Sequence, residues 1–231
     1  MKGRIAKLSV SLIFLLAASA YNASAAETCD EADILYATTP APPTAAYLWR
    51  TYLEQMATNV PANLDVLLIG DSLIYQWPIS LLSPLEVASY GIGGDKAQNV
   101  LWRLASPEFT KLKPKNILIF IGTNSLPSDK PCVIIAGMKK LVAQVSMIWP
   151  RARIFMLEVP PRGQDLKFRN DVRLEVNSAI REMPSIKPID VDDAIACAWQ
   201  TPCENYNADG LHFAPAGYKI LTKLLREALS Q

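Results

Sequence analysis

The sequence predicts an α/β domain of three layers, an α/β/α sandwich with about five parallel strands covered on both faces by helices. Three observations carry this. The stretches 64–69 and 116–121 are apolar runs of strand length that stop at Gly70 and Gly122, as strands buried on both faces do. Between runs of this kind lie stretches with apolar residues at helical spacing. The two patterns alternate along the chain, which is the order of a parallel sheet built from helical crossovers.

In order, residues 37–44 (Ala-Thr-Thr-Pro-Ala-Pro-Pro-Thr) read as an extended lead-in. Leu48, Tyr52 and Met56, four apart, predict an amphipathic helix over 47–58, capped by Thr44 or Ala45. The first strand is 64–69. A weaker one at 85–89 runs into Gly91-Ile92-Gly93-Gly94-Asp95, and a short helix follows over 97–105. The strand at 116–121 ends in Gly122-Thr123-Asn124-Ser125. Ile134, Met138, Leu141, Val145 and Ile148 form the stripe of a helix over 133–149, stopped by Pro150. A fourth strand, 153–159, precedes Pro160-Pro161-Arg162-Gly163. The helix at 168–183 turns Val172, Val176, Ala179 and Ile180 inward, and 186–191 is the fifth strand. The closing helix, 215–229, has Pro215 in its first turn and Tyr218, Leu221, Leu225 and Ala228 on its inner face. There is no internal repeat.

The N-terminus carries an address. Lys2, Arg4 and Lys7 precede an apolar run over 8–20 and then Ala23-Ser24-Ala25, the charged, apolar and A-x-A order of a secretory signal peptide. The run is short of the ~20 residues that a membrane span needs. Cleavage is placed after Ala25, with Ala20 as the second candidate. It removes three of the 23 basic residues and none of the 22 acidic ones, leaving a net charge of −2. Charge so near neutral argues against a nucleic-acid partner, because phosphate binding rests on clustered Lys and Arg. No later segment is expected to span a bilayer, so the protein is expected to be secreted or periplasmic with no stable membrane span. Residues 1–25 are assigned to the signal, 26–63 to an N-terminal extension and helix, and 64–231 to the main domain.

Four cysteines in an exported chain point to disulfides. Cys197 and Cys203 flank the loop-like Trp199-Gln200-Thr201-Pro202 and are paired with each other, which pairs Cys29 with Cys132. Metal binding is the alternative, but there is no C-x-x-C and only one histidine; no metal site is expected.

Each of the first three strands ends in an unusual loop: Gly70-Asp71-Ser72, Gly93-Gly94-Asp95 and Gly122-Thr123-Asn124. Parallel strands bring such ends to one edge, where ligands bind in open α/β sheets. The single histidine, His212, follows Asp209 by three positions. A serine hydroxyl becomes a nucleophile when an imidazole takes its proton. The imidazole in turn needs an acid to fix its tautomer. Ser72, His212 and Asp209 are therefore the candidate nucleophile, base and orienting acid. The N–H groups of Ser72 and Gly94 and the side-chain amide of Asn124 are candidate donors to an oxyanion. Asp71, Tyr75 and Trp77 flank Ser72 as candidates for the substrate pocket. Asp71 has the alternative role of holding the nucleophile turn, and Tyr75 and Trp77 that of core packing. Asp95 is expected to cap the helix after it. Arg162 is either a contact for an anionic substrate group or a surface arginine.

These blocks, Gly70-Asp71-Ser72-Leu73, the Gly94 loop, Gly122-Thr123-Asn124 and Asp209-Gly210-Leu211-His212, resemble in order and spacing the Ser-Gly-Asn-His (GDSL) esterase/lipase family. Val159-Pro160-Pro161-Arg162-Gly163, the later Asn177 and Ala216-Gly217-Tyr218 are similar to its platelet-activating-factor-acetylhydrolase-like branch. The resemblance implies that 64–231 is a Ser-Gly-Asn-His hydrolase domain with a flavodoxin-like sheet. It implies ester hydrolysis through an acyl-enzyme without a cofactor, with Ser72, His212 and Asp209 as triad and Gly94 and Asn124 in the oxyanion hole. Two positions depart from the pattern: Ser125 stands where an acid is usual, and Ser89 where Asn is frequent. A small-molecule or carbohydrate ester is the expected substrate, with O-acetyl groups on carbohydrate first. A lipid-ester or thioester hydrolase, an acyltransferase and a non-catalytic glycan-binding protein are the alternatives. N-terminal sequencing of exported material is expected to begin at Ala26; an intact Met1 would overturn the cleavage assignment.

Overall fold

The computed structural model describes residues 28–231, so the expected signal peptide lies outside the described residues. The sheet has five parallel strands in the order β2-β1-β3-β4-β5. Along the chain the elements are α1 (Glu31–Thr38), α2 (Ala46–Ala57), β1 (Asn63–Gly70), α3 (Ser72–Tyr75), β2 (Val87–Gly91), α4 (Ala97–Leu104), α5 (Pro107–Thr110), β3 (Lys113–Phe120), α6 (Pro131–Ile148), β4 (Arg153–Leu157), α7 (Asn170–Arg181), β5 (Lys187–Ile189), α8 (Asp192–Ile195) and α9 (Pro215–Leu229).

The unbroken apolar run of β1 follows from its place in the middle of the sheet. Val66, Leu67, Leu68 and Ile69 have no exposed surface. Successive side chains point to opposite faces. Leu67 and Ile69 thus join Val100, Leu141 and Val176 in one core, while Val66 and Leu68 join Tyr218, Leu221 and Leu225 in the other. Gly70 ends the run because a Cβ there would lie 2.0 Å from the Phe120 carbonyl oxygen. Gly70 pairs with Gly91 on one side and Phe120 on the other, so the three strands end level. Chain order reverses between β1 and β3, which puts a switch-point crevice over those ends.

Several boundaries differ from the sequence reading, each for a tertiary reason. Helix α1 is new. Asp30 and Asp33 cap it reciprocally, with the Asp33 N–H on Asp30 Oδ1 at 2.8 Å. Its Ile34, Leu35 and Tyr36 remain exposed, so it shows no apolar stripe in the sequence. The Cys29–Cys132 disulfide ties its start to α6, and Cys197 is bonded to Cys203, the two expected pairings. Strand β2 is shifted two residues toward Gly91 to match the end of β1. Strand β4 stops at Leu157 because the Asn177 side chain takes both the N–H and the carbonyl of Val159, at 2.8 and 3.0 Å. By length and composition α6 could cross a membrane, contrary to expectation; in this fold its Ile134, Met138, Leu141 and Val145 are buried in the core.

The largest correction concerns Asp95. It does not cap α4; the first free N–H there, on Lys96, donates to Asn99 Oδ1 at 2.9 Å. Asp95 instead accepts from Arg103 Nε and Nη2 at 2.9 and 2.8 Å. Arg103 is wholly buried, and it also donates to the carbonyls of Tyr90 (3.2 Å) and Gly70 (3.1 Å). One guanidinium thus fastens the ends of β1 and β2 to the Gly94 loop. Arg103→Met, similar in bulk but without donors, leaves the Asp95 carboxylate buried without its counter-charge and removes one donor from each of the Tyr90 and Gly70 carbonyls. It is expected to destabilise the fold by about 3–5 kcal/mol, read as a lower urea midpoint; a loss under about 1 kcal/mol would show that the pair is dispensable.

Candidate active site

The site forms where the loops after β1, β2 and β3 meet the segment before α9. Asp71 terminates β1 and caps α3, its Oδ1 accepting the Leu73 N–H at 2.9 Å. This places Ser72 as the first residue of α3, where the helix offers its N–H no acceptor. On the other side, Asp209 Oδ1 accepts the N–H groups of Leu211 and His212, both at 2.9 Å. That turn brings Asp209 Oδ2 to 2.7 Å from His212 Nδ1 and leaves His212 Nε2 facing Ser72 Oγ at 3.0 Å. Serine, imidazole and carboxylate form one hydrogen-bond chain across 140 positions of sequence. Burial alone would raise the Asp209 carboxyl, but the hydrogen bonds from the imidazole and the two backbone N–H groups outweigh it and hold the group below the usual range. Asp209 therefore stays ionised beside the ring.

The loops of β2 and β3 lie against this chain. Gly94 has φ +78°, and a Cβ on it would meet nothing within 4 Å. The glycine is needed for its left-handed backbone and leaves its surroundings open. Asn124 is fixed by donating from Nδ2 to the Asp95 carbonyl at 3.0 Å. The second hydrogen of that amide is left for another acceptor. The Gly122–Ser125 turn closes through its own backbone, Ser125 N–H to Gly122 carbonyl at 3.0 Å, so the missing acid at 125 is not required for it. Ser89 Oγ makes only a long contact, 3.4 Å, to the Ile74 carbonyl.

The three candidate pocket residues separate. Tyr75 is 57% exposed at the outer end of α3. Trp77 does not line a pocket: it is buried, its Nε1 donates to Thr222 Oγ1 at 3.0 Å, and its ring packs on Tyr218. Its two-sided amphipathic character is satisfied by α9. Asp71 is also removed from any pocket surface, having no exposed area, and its role is the alternative one of holding the turn. Its Oδ2 is buried and has no hydrogen-bond partner among the described residues. Burial, then the nearby Asp95, push its carboxyl up to about 7, against the Leu73 hydrogen bond and the charge of Arg162. Burial likewise pushes Asp95 up to about 6 despite Arg103.

Two contributors escaped the sequence reading. Arg103 sits three residues after the inward Val100, so a charge on the apolar stripe of α4 was the available signal. Tyr206, whose hydroxyl donates to the Pro161 carbonyl at 2.8 Å, lies in a segment without periodicity. A groove of about 390 Å³ runs beside the Asp209 turn, with Gln164, Glu204, Asn207 and Gly210 among its lining.

Comparison with known proteins agrees with this architecture. The model of the GDSL-like lipase/acylhydrolase family matches residues 68–220. Platelet-activating factor acetylhydrolase IB subunit alpha1 of Rattus norvegicus is 32% identical over 174 residues, covering 71% of this chain and 75% of the relative. The human alpha2 subunit is 30% identical over 176 residues, covering 72% and 76%. Among solved structures, a GDSL-like lipase from Bacteroides thetaiotaomicron superposes with a TM-score of 0.62 at 16% identity, covering 79% of this chain and 97% of that one. A variant of an acetyl-xylooligosaccharide esterase from Geobacillus gives 0.58 at 16% identity, covering 75% and 96%. At that identity the structural neighbours speak for the shared fold.

A carboxyl raised in the folded state binds its proton there before it does in the unfolded chain. Stability therefore falls as pH rises through the interval between the two values. For Asp71 that interval runs from 3.8 to about 7. Asp71→Asn keeps an acceptor for the Leu73 N–H and removes the titration. Its unfolding free energy is expected to depend less on pH over this range than that of the wild type, and to match or exceed it at pH 8. Parallel pH profiles of chemical denaturation for the two proteins would refute this.

Proposed function

Since the chain belongs to the GDSL-like lipase/acylhydrolase family, we propose that it is an exported serine esterase that cleaves short-chain carboxylic esters through an acyl-enzyme. The observation that carries the reading is the chain Ser72 Oγ–His212 Nε2 at 3.0 Å and His212 Nδ1–Asp209 Oδ2 at 2.7 Å.

In this reading Ser72 Oγ attacks the ester carbonyl while His212 Nε2 takes its proton. Asp209, ionised, holds the ring by Nδ1–H and stabilises the imidazolium. The carbonyl oxygen becomes an oxyanion facing the N–H of Ser72, the N–H of Gly94 and the remaining N–H of Asn124. These donors are fixed beforehand by α3, the Gly94 turn and the Asp95 carbonyl, so they need little rearrangement when charge develops. The tetrahedral intermediate collapses by breaking the bond to the alkoxy oxygen, which leaves as the alcohol with the proton from His212. A water then gives its proton to His212 and attacks the acyl carbon. Collapse returns the proton to Ser72 and releases the acid.

The acyl group is assigned as acetyl or similarly short. The rat relative is named for an acetylhydrolase and the Geobacillus neighbour for removal of acetyl from xylo-oligosaccharide. The amides of Gln164 and Asn207 and the carboxylate of Glu204 in the adjoining groove can hydrogen-bond a hydroxyl-rich alcohol such as a sugar. Export rests on the N-terminal signature, with 26–63 an extension ahead of the hydrolase domain. The two disulfides fit an oxidising compartment, secreted or periplasmic.

A fluorophosphonate is expected to label the wild type and not Ser72→Ala, with His212→Ala labelled far more slowly. Turnover of p-nitrophenyl acetate should fall about 10⁴–10⁶-fold in either variant. It should fall about 10²–10³-fold in Asn124→Ala. Folded wild-type protein that does not label would overturn the reading, and faster turnover of long-chain than acetyl esters would overturn the acyl assignment.

A further inference from the structure

We propose that Arg162 is a positioning residue for this reaction, fixing the loop that carries Asn124 to a turn whose next residue, Gly163, is bonded to the loop that carries Asp209 and His212. The inference rests on the esterase reading above.

The argument begins with the segment that presents Arg162. Asn177 holds Val159 by both its N–H and its carbonyl, at 2.8 and 3.0 Å, and Arg173 Nη1 donates to the same carbonyl at 3.0 Å. Tyr206 fixes the Pro161 carbonyl at 2.8 Å, and the Phe168 N–H fixes that of Arg162 at 3.0 Å. Held at Val159, Pro161 and Arg162, this turn has a fixed backbone. From it, two bonds reach the two halves of the candidate site. Arg162 Nη1 donates to the Thr123 carbonyl at 2.8 Å and contacts Thr123 Oγ1 at 3.3 Å. The neighbouring Gly163 N–H donates to the Gly210 carbonyl at 2.8 Å, next to Asp209.

The Thr123 carbonyl belongs to the peptide that leads into Asn124, so fixing it sets the direction in which the Asn124 amide is presented. The guanidinium itself is half-buried and stacks over the Phe168 ring at 5.2 Å. Its charge is felt by both Asp71, beneath Ser72, and Asp209. Flanked by two acids of the protein and bonded to a protein carbonyl, Arg162 is matched from within. That favours a positioning role over capture of an anionic substrate.

The test is a kinetic cycle on an acetyl ester. Arg162→Gln is expected to lower kcat about 10–100-fold, the scale of a misplaced catalytic group, with KM changed less than about threefold. In an Asn124→Ala background the same change is expected to cost less than about twofold, since its effect is exerted through Asn124. Arg162→Lys keeps the charge but loses the planar fork, and is expected to lose about 3–10-fold in kcat; it carries the same cycle if the glutamine variant does not fold. A raised KM at unchanged kcat would make Arg162 a substrate-binding residue and overturn the proposal. So would an undiminished loss in the Asn124→Ala background, or wild-type kcat in folded Arg162→Gln. Fluorophosphonate labelling of the wild type separates the premise from the inference. If Ser72 does not label, the esterase reading fails. If it labels normally and Arg162→Gln turns over normally, only the positioning role fails.

Discussion

The carboxyl edge of this sheet is organised around a guanidinium that has no contact with water. Arg103 must satisfy its donors inside the protein, and it does so on Asp95 and on the carbonyls of Gly70, the last residue of β1, and Tyr90, the last but one of β2. A buried ion pair is no efficient source of stability compared with apolar packing. Its value here is geometric. The Gly70 carbonyl already accepts the Ile92 N–H, and Arg103 adds a second bond there while holding the Tyr90 carbonyl and Asp95. By bridging both strands to Asp95 it fixes the Gly93–Asp95 turn, whose Asp95 carbonyl then holds Asn124.

The other half of the sheet uses the same device. Arg173 on α7 is equally buried, donates to the Val159 carbonyl beyond β4, and is neutralised by Asp192 at 2.7 and 2.8 Å. Each side of the switch-point crevice thus has a helix that sends an arginine under the strand ends. The loops resting on these two arginines present Gly94 and Arg162, and the loop of Asn124 is held between them by the Asp95 carbonyl and the Arg162 guanidinium. Rigidity at the candidate site is therefore inherited from the helices behind it, which is the arrangement that preorganised donors require.

This concentration of polar groups has a thermodynamic consequence. Asp71 and Asp95 are carboxyls held where water does not reach, and both are pushed well above their ordinary range by burial. Asp71 lacks a partner at Oδ2 among the described residues, yet it shapes the turn that places Ser72 at the start of α3. Locally unfavourable groups of this kind gather where a fold serves a site rather than its own stability. The apolar runs of the central strands, wholly buried on both faces, provide the stability against which they are set.

Local pattern in the sequence determined what local pattern can determine. Apolar runs of strand length and helical spacing yielded the five strands, the crossover helices and the three layers, because a strand buried on both faces is apolar along its length and a helix repeats its core-facing residues with its own period. Glycines and acids at strand ends marked Ser72, Gly94 and Asn124. The Asp209–His212 spacing is a local turn, legible for the same reason, and cysteine spacing yielded both disulfides. Only the tertiary structure decided the rest. The charge of Arg103 on the apolar stripe of α4 signals a buried arginine but not that Asp95 pairs with it instead of capping α4, since the pair is set by how α4 packs on the ends of β1 and β2. Trp77 goes to the core because α9, 145 positions away, brings Thr222 to its N–H. The end of β4 is set by Asn177, and α1 is held by a disulfide and not by an apolar stripe. These are tertiary contacts, even where the partners are as near in sequence as Asp95 and Arg103, eight positions apart, and they are chosen by how the layers pack rather than by any periodicity a single segment carries.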